Sequence, residues 1–229
     1  EEGTFCFRLE PWHKVNSHGG HEPCVNEMFL HVLWKKKKKI NICWAISEIY
    51  ESGFAKEFDS AIVALAAQQA EAQGAYPVAI NISPESACTR SFWEECGPFL
   101  NSAAPENFIF ELLEEDYIPS NEGRTVLMAA QNLGFRFALD DIENCPRDER
   151  RLQCFGDIVD FIKVDGSLVE QWELGVPGLI SFMDRLRRRT DGPVFIAEWV
   201  SSVAKARFLA EMGFNAVQGR CLPVSREEF

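Results

Sequence analysis

Between residues 77 and 217 the sequence keeps one cadence, a short apolar segment followed by a longer amphipathic one. Pro77–Ile82, Phe108–Leu113, Phe135–Leu139, Ile158–Val164, Val194–Ala197 and Ala216–Val217 have the apolar runs expected of buried strands. The intervening stretches read as helices: one from Ser83-Pro84 toward Leu100, then Glu122–Asn132, a stretch ending at Leu186, and Val203–Met212. Ser83-Pro84 is an N-cap followed by proline at the first helical position, and Asn132-Leu133-Gly134 is a helix stop. Strands that alternate with helices pair in parallel, because each crossover needs a helix-sized connection. Seven or eight such strands in a single domain of 229 residues predict closure into an α/β barrel of the TIM (β/α)8 type, residues 1–229 forming one domain.

The first part of the chain is less regular. Phe5–Pro11 reads as a short strand, and His13, His18 and His21, spaced irregularly around Gly19-Gly20, read as a solvated turn rather than a metal site. Asn26–Trp34 is apolar enough for a buried strand, with Glu27 near its start needing a partner or a cation. The lysine run Lys35–Lys39 reads as a solvated loop. Ile46, Ile49, Phe54, Phe58, Ile62 and Leu65 recur at close to helical spacing, and Gly74 closes that helix. A hydrophobic fraction of 46% supports one large core, while the net charge of -12 argues against duplex nucleic acid as a partner. Without an eighteen-residue apolar run or a signal-peptide pattern, the reading is no membrane segment and a cytoplasmic location. The start at Glu1 suggests a piece of a longer protein. The 8 cysteines contain no C-x-x-C pair and read as reduced, mostly buried thiols.

Chemistry concentrates at the strand ends. Asn81, Glu111 and Glu114, Asp140 and Asp141, Lys163 and Asp165, Glu198, and Gln218 all sit at or near the carboxyl end of an expected strand. In a barrel these ends share one rim, so residues distant in sequence meet there. Taken alone, Asp140-Asp141 reads equally well as a helix or turn cap. A whole rim of carboxylates, however, repels itself unless divalent cations lie among its members. Oxygen ligands of this kind suit Mg²⁺ or Mn²⁺, and a pair of such ions about 3.5–4 Å apart is suited to in-line hydrolysis of a phosphodiester.

In order along the chain, Ala79-Ile80-Asn81-Ile82-Ser83 resembles the motif V-N-L-S of EAL-type domains, and Glu111-Leu112-Leu113-Glu114 resembles E-L-T-E. Ala138-Leu139-Asp140-Asp141 stands for the D-D-F-G strand, Ile162-Lys163-Val164-Asp165 for K-I-D, Ile196-Ala197-Glu198-Trp199-Val200 for A-E-G-V-E, and Val217-Gln218-Gly219 for Q-G. The name-giving E-A-L appears as Glu27-Met28-Phe29. The resemblance to this family of cyclic-di-GMP phosphodiesterases and their non-catalytic relatives implies a barrel whose first strand, Phe5–Pro11, runs antiparallel to the rest. It implies two ions, Mg²⁺ or Mn²⁺: one held by Glu27, Asn81, Glu111 and Asp140, the other beside Asp140 and Asp141 with Glu198 nearby. Lys163, Glu198 and Glu27 would carry catalysis, with Lys163 on the attacking water and Glu198 and Gln218 orienting water and substrate. Glu114 and Asp165 would support these ligands from behind. The implied partners are cyclic-di-GMP, cleaved to linear pGpG, an upstream regulatory domain and a homodimer mate.

Several positions depart from the family pattern. The loop after Asp140-Asp141, F-G-T-G-Y in the family and a link between dimerisation and metal placement there, reads Ile142-Glu143-Asn144-Cys145-Pro146-Arg147-Asp148-Glu149-Arg150 here. Without glycine it is expected to take another path. His31 replaces a phosphate-binding arginine and lacks its bidentate fork, Glu10 replaces a substrate-binding glutamine, and Ser201 replaces the second glutamate of A-E-G-V-E. Two readings stay open: a metal-dependent phosphodiesterase, slow or regulated, and a catalytically inactive receptor or protein-interaction module.

Overall fold

The structure is a computed structural model that describes residues 3–16, 18, 20–34, 42–174, 179–189 and 192–219. The lysine run Lys35–Lys39 and Cys221 lie outside the described residues. Eight strands close into a barrel in sequence order: β1 (Gly3–Val15), β2 (His21–Trp34), β3 (Val78–Ile82), β4 (Phe108–Leu112), β5 (Arg136–Ile142), β6 (Phe161–Val164), β7 (Val194–Ala197) and β8 (Ala216–Val217). β1 is antiparallel to both its neighbours, β2 and β8, and all other pairs are parallel. Helices follow in chain order: α1 (Ile42–Glu51), α2 (Ala55–Gln73), α3 (Pro84–Ala87), α4 (Arg90–Leu100), α5 (Asn121–Asn132), α6 (Pro146–Phe155), α7 (Gly166–Glu173), α8 (Leu179–Arg189) and α9 (Val203–Glu211). No helix among the described residues is long and apolar enough to cross a membrane.

The two-residue period of a strand sorts the side chains into two layers. Val78, Ile80 and Ile82, Phe108, Phe110 and Leu112, and Phe137 and Leu139 join the core between sheet and helices. Their alternates point inward: Trp12, Val25, Ala79, Ile109, Ala138, Phe161, Ile196 and Ala216 form a separate apolar plug inside the barrel. Seven of these plug residues stand two places before a polar one, giving the series Val25/Glu27, Ala79/Asn81, Ile109/Glu111, Ala138/Asp140, Phe161/Lys163, Ile196/Glu198 and Ala216/Gln218. Strand parity therefore carries each polar side chain inward, one layer above the plug, and the strand pairings Asn81↔Glu111, Glu27↔Ala79 and Lys163↔Ile196 bring the strands into level.

Some expected boundaries move. β1 and β2 are far longer than Phe5–Pro11 and Asn26–Trp34, because they pair with each other from Gly3↔Trp34 to Val15↔His21 beyond the barrel wall. The expected helix from Ser83 to Leu100 is two, α3 and α4, parted at Cys88-Thr89, where Thr89 is extended. The stretch ending near Leu186 is likewise divided into α7 and α8. The loop Ile142–Arg150 is shorter than expected, since α6 begins at Pro146; Asp148 Oδ2 accepts from the backbone N–H groups of Glu143 and Cys145 and closes the turn. Buried Arg151 then ties α6 to β4 by donating to Leu112 O at 2.9 Å. Of the described cysteines, Cys88 and Cys96 are buried and Cys43 is exposed, so fewer are interior than expected.

The histidine turn also needs correcting. His13 lies within β1, not in a loop, and is fully buried with its ring 5.5 Å from that of His21. Neither ring nitrogen has a hydrogen-bond partner among the described residues. Burial, with the nearby His21, lowers its pKa below 6.5, so the folded state takes up its proton later than the unfolded chain does. The stability linked to this neutral ring is present above pH 6.5 and drains away as pH falls toward the lowered folded value. His13→Phe is expected to hold neutral-pH stability and to flatten that acid-side loss, read from urea titrations on either side of pH 6.5. An unchanged pH slope in the variant would acquit His13.

Candidate functional site

At the centre of the rim stands Lys163. Its Nζ lies 2.6 Å from Glu111 Oε2, 2.7 Å from Asp140 Oδ1, 2.9 Å from Glu198 Oε1 and 3.0 Å from Glu27 Oε2, although the side chain is nearly inaccessible to solvent. An ammonium has three protons and cannot give four good hydrogen bonds. Those to Glu27 and Asp140 have hydrogen-bond geometry, whereas Glu111 and Glu198 are held by charge alone. Glu27 is the most crowded acceptor: Trp12 Nε1 (3.2 Å) and Gln218 Nε2 (2.8 Å) also donate to its Oε2, and Asn81 Nδ2 donates to Oε1 at 3.2 Å. Contributions from β1, β2, β3, β4, β5 and β6 and from the residues just after β7 and β8 thus meet around one cation.

The electrostatics follow from that crowding. Burial opposes the charge on Lys163, but Asp140, Glu111, Glu198 and Glu27 outweigh it and hold the ammonium well above the ordinary lysine value. Burial pushes Glu111 well above the carboxylate range, reinforced by Glu27 and countered by Lys163. Glu198 is raised in the same direction, by burial first and by Asp140 and Asp141, again against Lys163. Asp141 is pushed up to about 6 by burial and by Asp140 beside it. Its backbone is left-handed at φ 47°, which turns the second carboxylate of the Asp-Asp pair off the strand alternation and toward the rim.

A divalent cation fits the donor set. Within the ring, the buried atoms lacking a hydrogen-bond partner among the described residues are Asn81 Oδ1, Glu111 Oε1, Glu198 Oε2 and Gln218 Oε1, all acceptors, while Glu111 Oε2 faces the Lys163 ammonium; farther along the cleft Arg147 Nε is an unpartnered donor. Lone pairs buried without protons facing them call for positive charge. Two groups of carboxylates bring ligand oxygens within 4.8 Å of one another, Glu114 with Asp140 and Asp141, and Asp141 with Asp165 and Glu198. They share Asp141, the arrangement a pair of neighbouring ions requires. Of the set expected for a first ion, Glu27, Glu111 and Asp140 gather on the Lys163 ammonium and Asn81 bonds Glu27, and together they are not one of the groups whose ligand oxygens lie within 4.8 Å of one another among the described residues.

The remaining expected residues are placed less uniformly. Glu10 and Gln218 line the cleft of about 1020 Å³ that opens on the ring, and Glu10 faces Glu27 directly across the β1–β2 pair. His31 is exposed on β2 and is not among the cleft residues. Asp165 is buried and its Oδ1 accepts from Ser167 N at 2.8 Å, so it also starts α7. Sequence reasoning passed over Trp12, whose donation to Glu27 could have been foreseen from its sharing strand parity with Glu10. It also passed over a buried support beneath β3: Asp59 accepts from Ser83 N at 2.9 Å and from Tyr50 OH at 2.5 Å. Nothing local in α2 marks Asp59 as interior.

Fold and site together define an α/β barrel with an inverted first strand and a lysine-centred carboxylate ring at the carboxyl ends of its strands. The chain belongs to the EAL domain family, whose sequence profile matches residues 23–223. Among solved structures, the PaMucR phosphodiesterase in complex with c-di-GMP superposes with a TM-score of 0.76 at 15% identity, over 94% of this chain and 89% of that one. The FimX EAL domain of Xanthomonas citri in complex with c-diGMP gives 0.72 at 16% identity, over 98% and 90%. The cGMP-bound form of the EAL enzyme Bd1971 gives 0.75 at 18% identity over 94% of this chain, which spans only 60% of that protein. At these identities the likeness speaks for the fold. No curated protein matches the chain in sequence.

Proposed function

We propose that the chain hydrolyses cyclic-di-GMP to linear pGpG with two divalent ions, Mg²⁺ or Mn²⁺. The observation that carries this reading is the ring itself: Glu27, Asn81, Glu111, Asp140, Lys163, Glu198 and Gln218 come together at one rim, and most of the unpartnered polar atoms there are acceptors. Membership of the EAL family and the cyclic-di-GMP complexes of PaMucR and FimX support it. Glu27, Asn81, Glu111 and Asp140 would hold one ion, and Asp140, Asp141 and Glu198 the other, with Glu114 and Asp165 within reach. Bound there, the ions would neutralise phosphodiester charge and acidify the attacking water. Lys163 would hold that water by hydrogen bond and favour its deprotonated form, while Glu198 and Gln218 orient it and Trp12 steadies Glu27. Burial of these groups strengthens each of their interactions. In the longer protein that the 60% span of Bd1971 suggests, an upstream regulatory domain would set the rate.

The alternative is a receptor that binds the dinucleotide without cleaving it. One observation favours it: His31, standing for a phosphate-binding arginine, is exposed and outside the cleft. Incubating the purified chain with cyclic-di-GMP and Mg²⁺ or Mn²⁺ separates the two. The expected result is pGpG formation that disappears in Glu27→Ala, a change that strips an ion ligand. Tight binding with no linear product would establish the receptor.

A further inference from the structure

Trp199 is the residue immediately after Glu198, and it is out of character for its place. It lies 63% exposed, lines the cleft, and has a left-handed backbone at φ 54°. A bulky L-residue avoids that region because its Cβ crowds the following carbonyl. Strain of this kind persists where the surroundings over-determine the backbone, and it gathers at functional sites. Both neighbours are pinned here: Glu198 N donates to Val164 O at 3.1 Å and Val200 N to Gln218 O at 2.9 Å. Trp199 is therefore caught between two strand-end anchors of the catalytic ring.

Room for the indole comes from across the cleft wall. A Cβ on Gly166, the first residue of α7, would lie 2.4 Å from Trp199 Cβ and 2.5 Å from Trp199 Cγ, an overlap that only glycine avoids. The family motif A-E-G-V-E has glycine at the position of Trp199, so here a large aromatic plane stands on a left-handed backbone where the family has no side chain. Packing does not account for the addition, since most of the ring faces solvent. The surrounding wall is carboxylate-rich, with Asp141, Asp165, Glu170 and Glu198 lining the same cleft. An exposed aromatic plane beside groups that would hold ions on a phosphodiester suits a ligand that pairs phosphates with flat bases.

We propose that Trp199 is a stacking platform for a purine base of the cyclic dinucleotide, held at the rim by its pinned left-handed backbone and by the space Gly166 leaves. The inference rests on the function proposed above. It gives the cleft a base-binding contact that makes up for the phosphate grip missing at His31. Stacking of a base on an aromatic side chain is sequence-tolerant, and its removal weakens binding by roughly 5- to 150-fold.

Calorimetric titration of cyclic-di-GMP with Mg²⁺ present, run beside titration of Mg²⁺ alone, tests it. Trp199→Ala is expected to bind cyclic-di-GMP roughly 5- to 150-fold more weakly, and Trp199→Phe to recover most of the affinity, with Mg²⁺ alone bound alike by all three. Trp199→Gly should lose affinity as Ala does while its melting temperature stays level or rises, because glycine relieves the strained φ. Affinity lost only in step with melting temperature would overturn the proposal in favour of a structural role. Equal affinity of Trp199→Ala and the unaltered chain would overturn it and leave the proposed function standing. No binding of cyclic-di-GMP by the unaltered chain would overturn both.

Discussion

Lys163→Met is expected to be both inactive and markedly less stable. The ammonium lies within 3.0 Å of four buried carboxylates, and methionine fills the space without the charge. Removing one partner of a buried ion pair costs about 3–5 kcal/mol, because the other charges stay behind uncompensated. For a chain of this length that corresponds to a fall of roughly 6–20 °C in melting temperature. Glu111 and Glu198, already pushed upward by burial, can lessen the damage by taking protons. The deficit should therefore grow with pH, since carboxyl groups whose folded pKa is raised contribute most below their unfolded value and lose that contribution as pH rises. Phosphodiester cleavage should drop by roughly 10²–10⁴-fold, the usual worth of a positioned proton-transfer group. Added Mg²⁺ or Mn²⁺ should restore part of the stability and none of the rate. A melting curve that overlays the unaltered chain's would show that the ammonium is not what holds the ring together.

Asp140→Asn should separate ion binding from folding. Asp140 belongs to the expected ligand sets of both ions and to the Glu114–Asp140–Asp141 group. The amide keeps the shape, and Lys163 retains Glu27, Glu111 and Glu198. In buffer without divalent ions the variant should melt within a few degrees of the unaltered chain. With ion at about a hundred times its dissociation constant, the unaltered chain should gain about 2.7 kcal/mol, or roughly 5–10 °C, and Asp140→Asn almost nothing. The gain should be smaller below about pH 6 than above it, because the proton that Asp141 takes up near that pH competes with the ion. A large fall in the variant's ion-free melting temperature would instead make Asp140 a structural cap.

Reading the chain unaided succeeded where one periodicity decides the outcome. The inward parity of Asn81, Glu111, Asp140, Lys163, Glu198 and Gln218 follows from strand alternation once each strand is found, and barrel closure does the rest. It failed where a partner distant in sequence decides. The lengths of β1 and β2 are set by each strand's pairing with the other, and His13 is polar yet interior because the lengthened β1 carries it inside. The loop after Asp140-Asp141 becomes a helix start through Asp148, whose value as a cap depends on the turn it closes. Above all, the strand-end carboxylates were legible as one acidic rim, but not the four-way grip on Lys163, which depends on distances no local pattern contains.

That grip has a bearing on how the molecule matures. With its own ammonium as counter-charge, the barrel carries compensation for its buried carboxylates before any metal is bound. An ion held by Glu27, Glu111 and Asp140 would take over part of the counter-charge that the ammonium supplies to them. Newly made protein would wait assembled and silent until the supply of Mg²⁺ or Mn²⁺ wakes it.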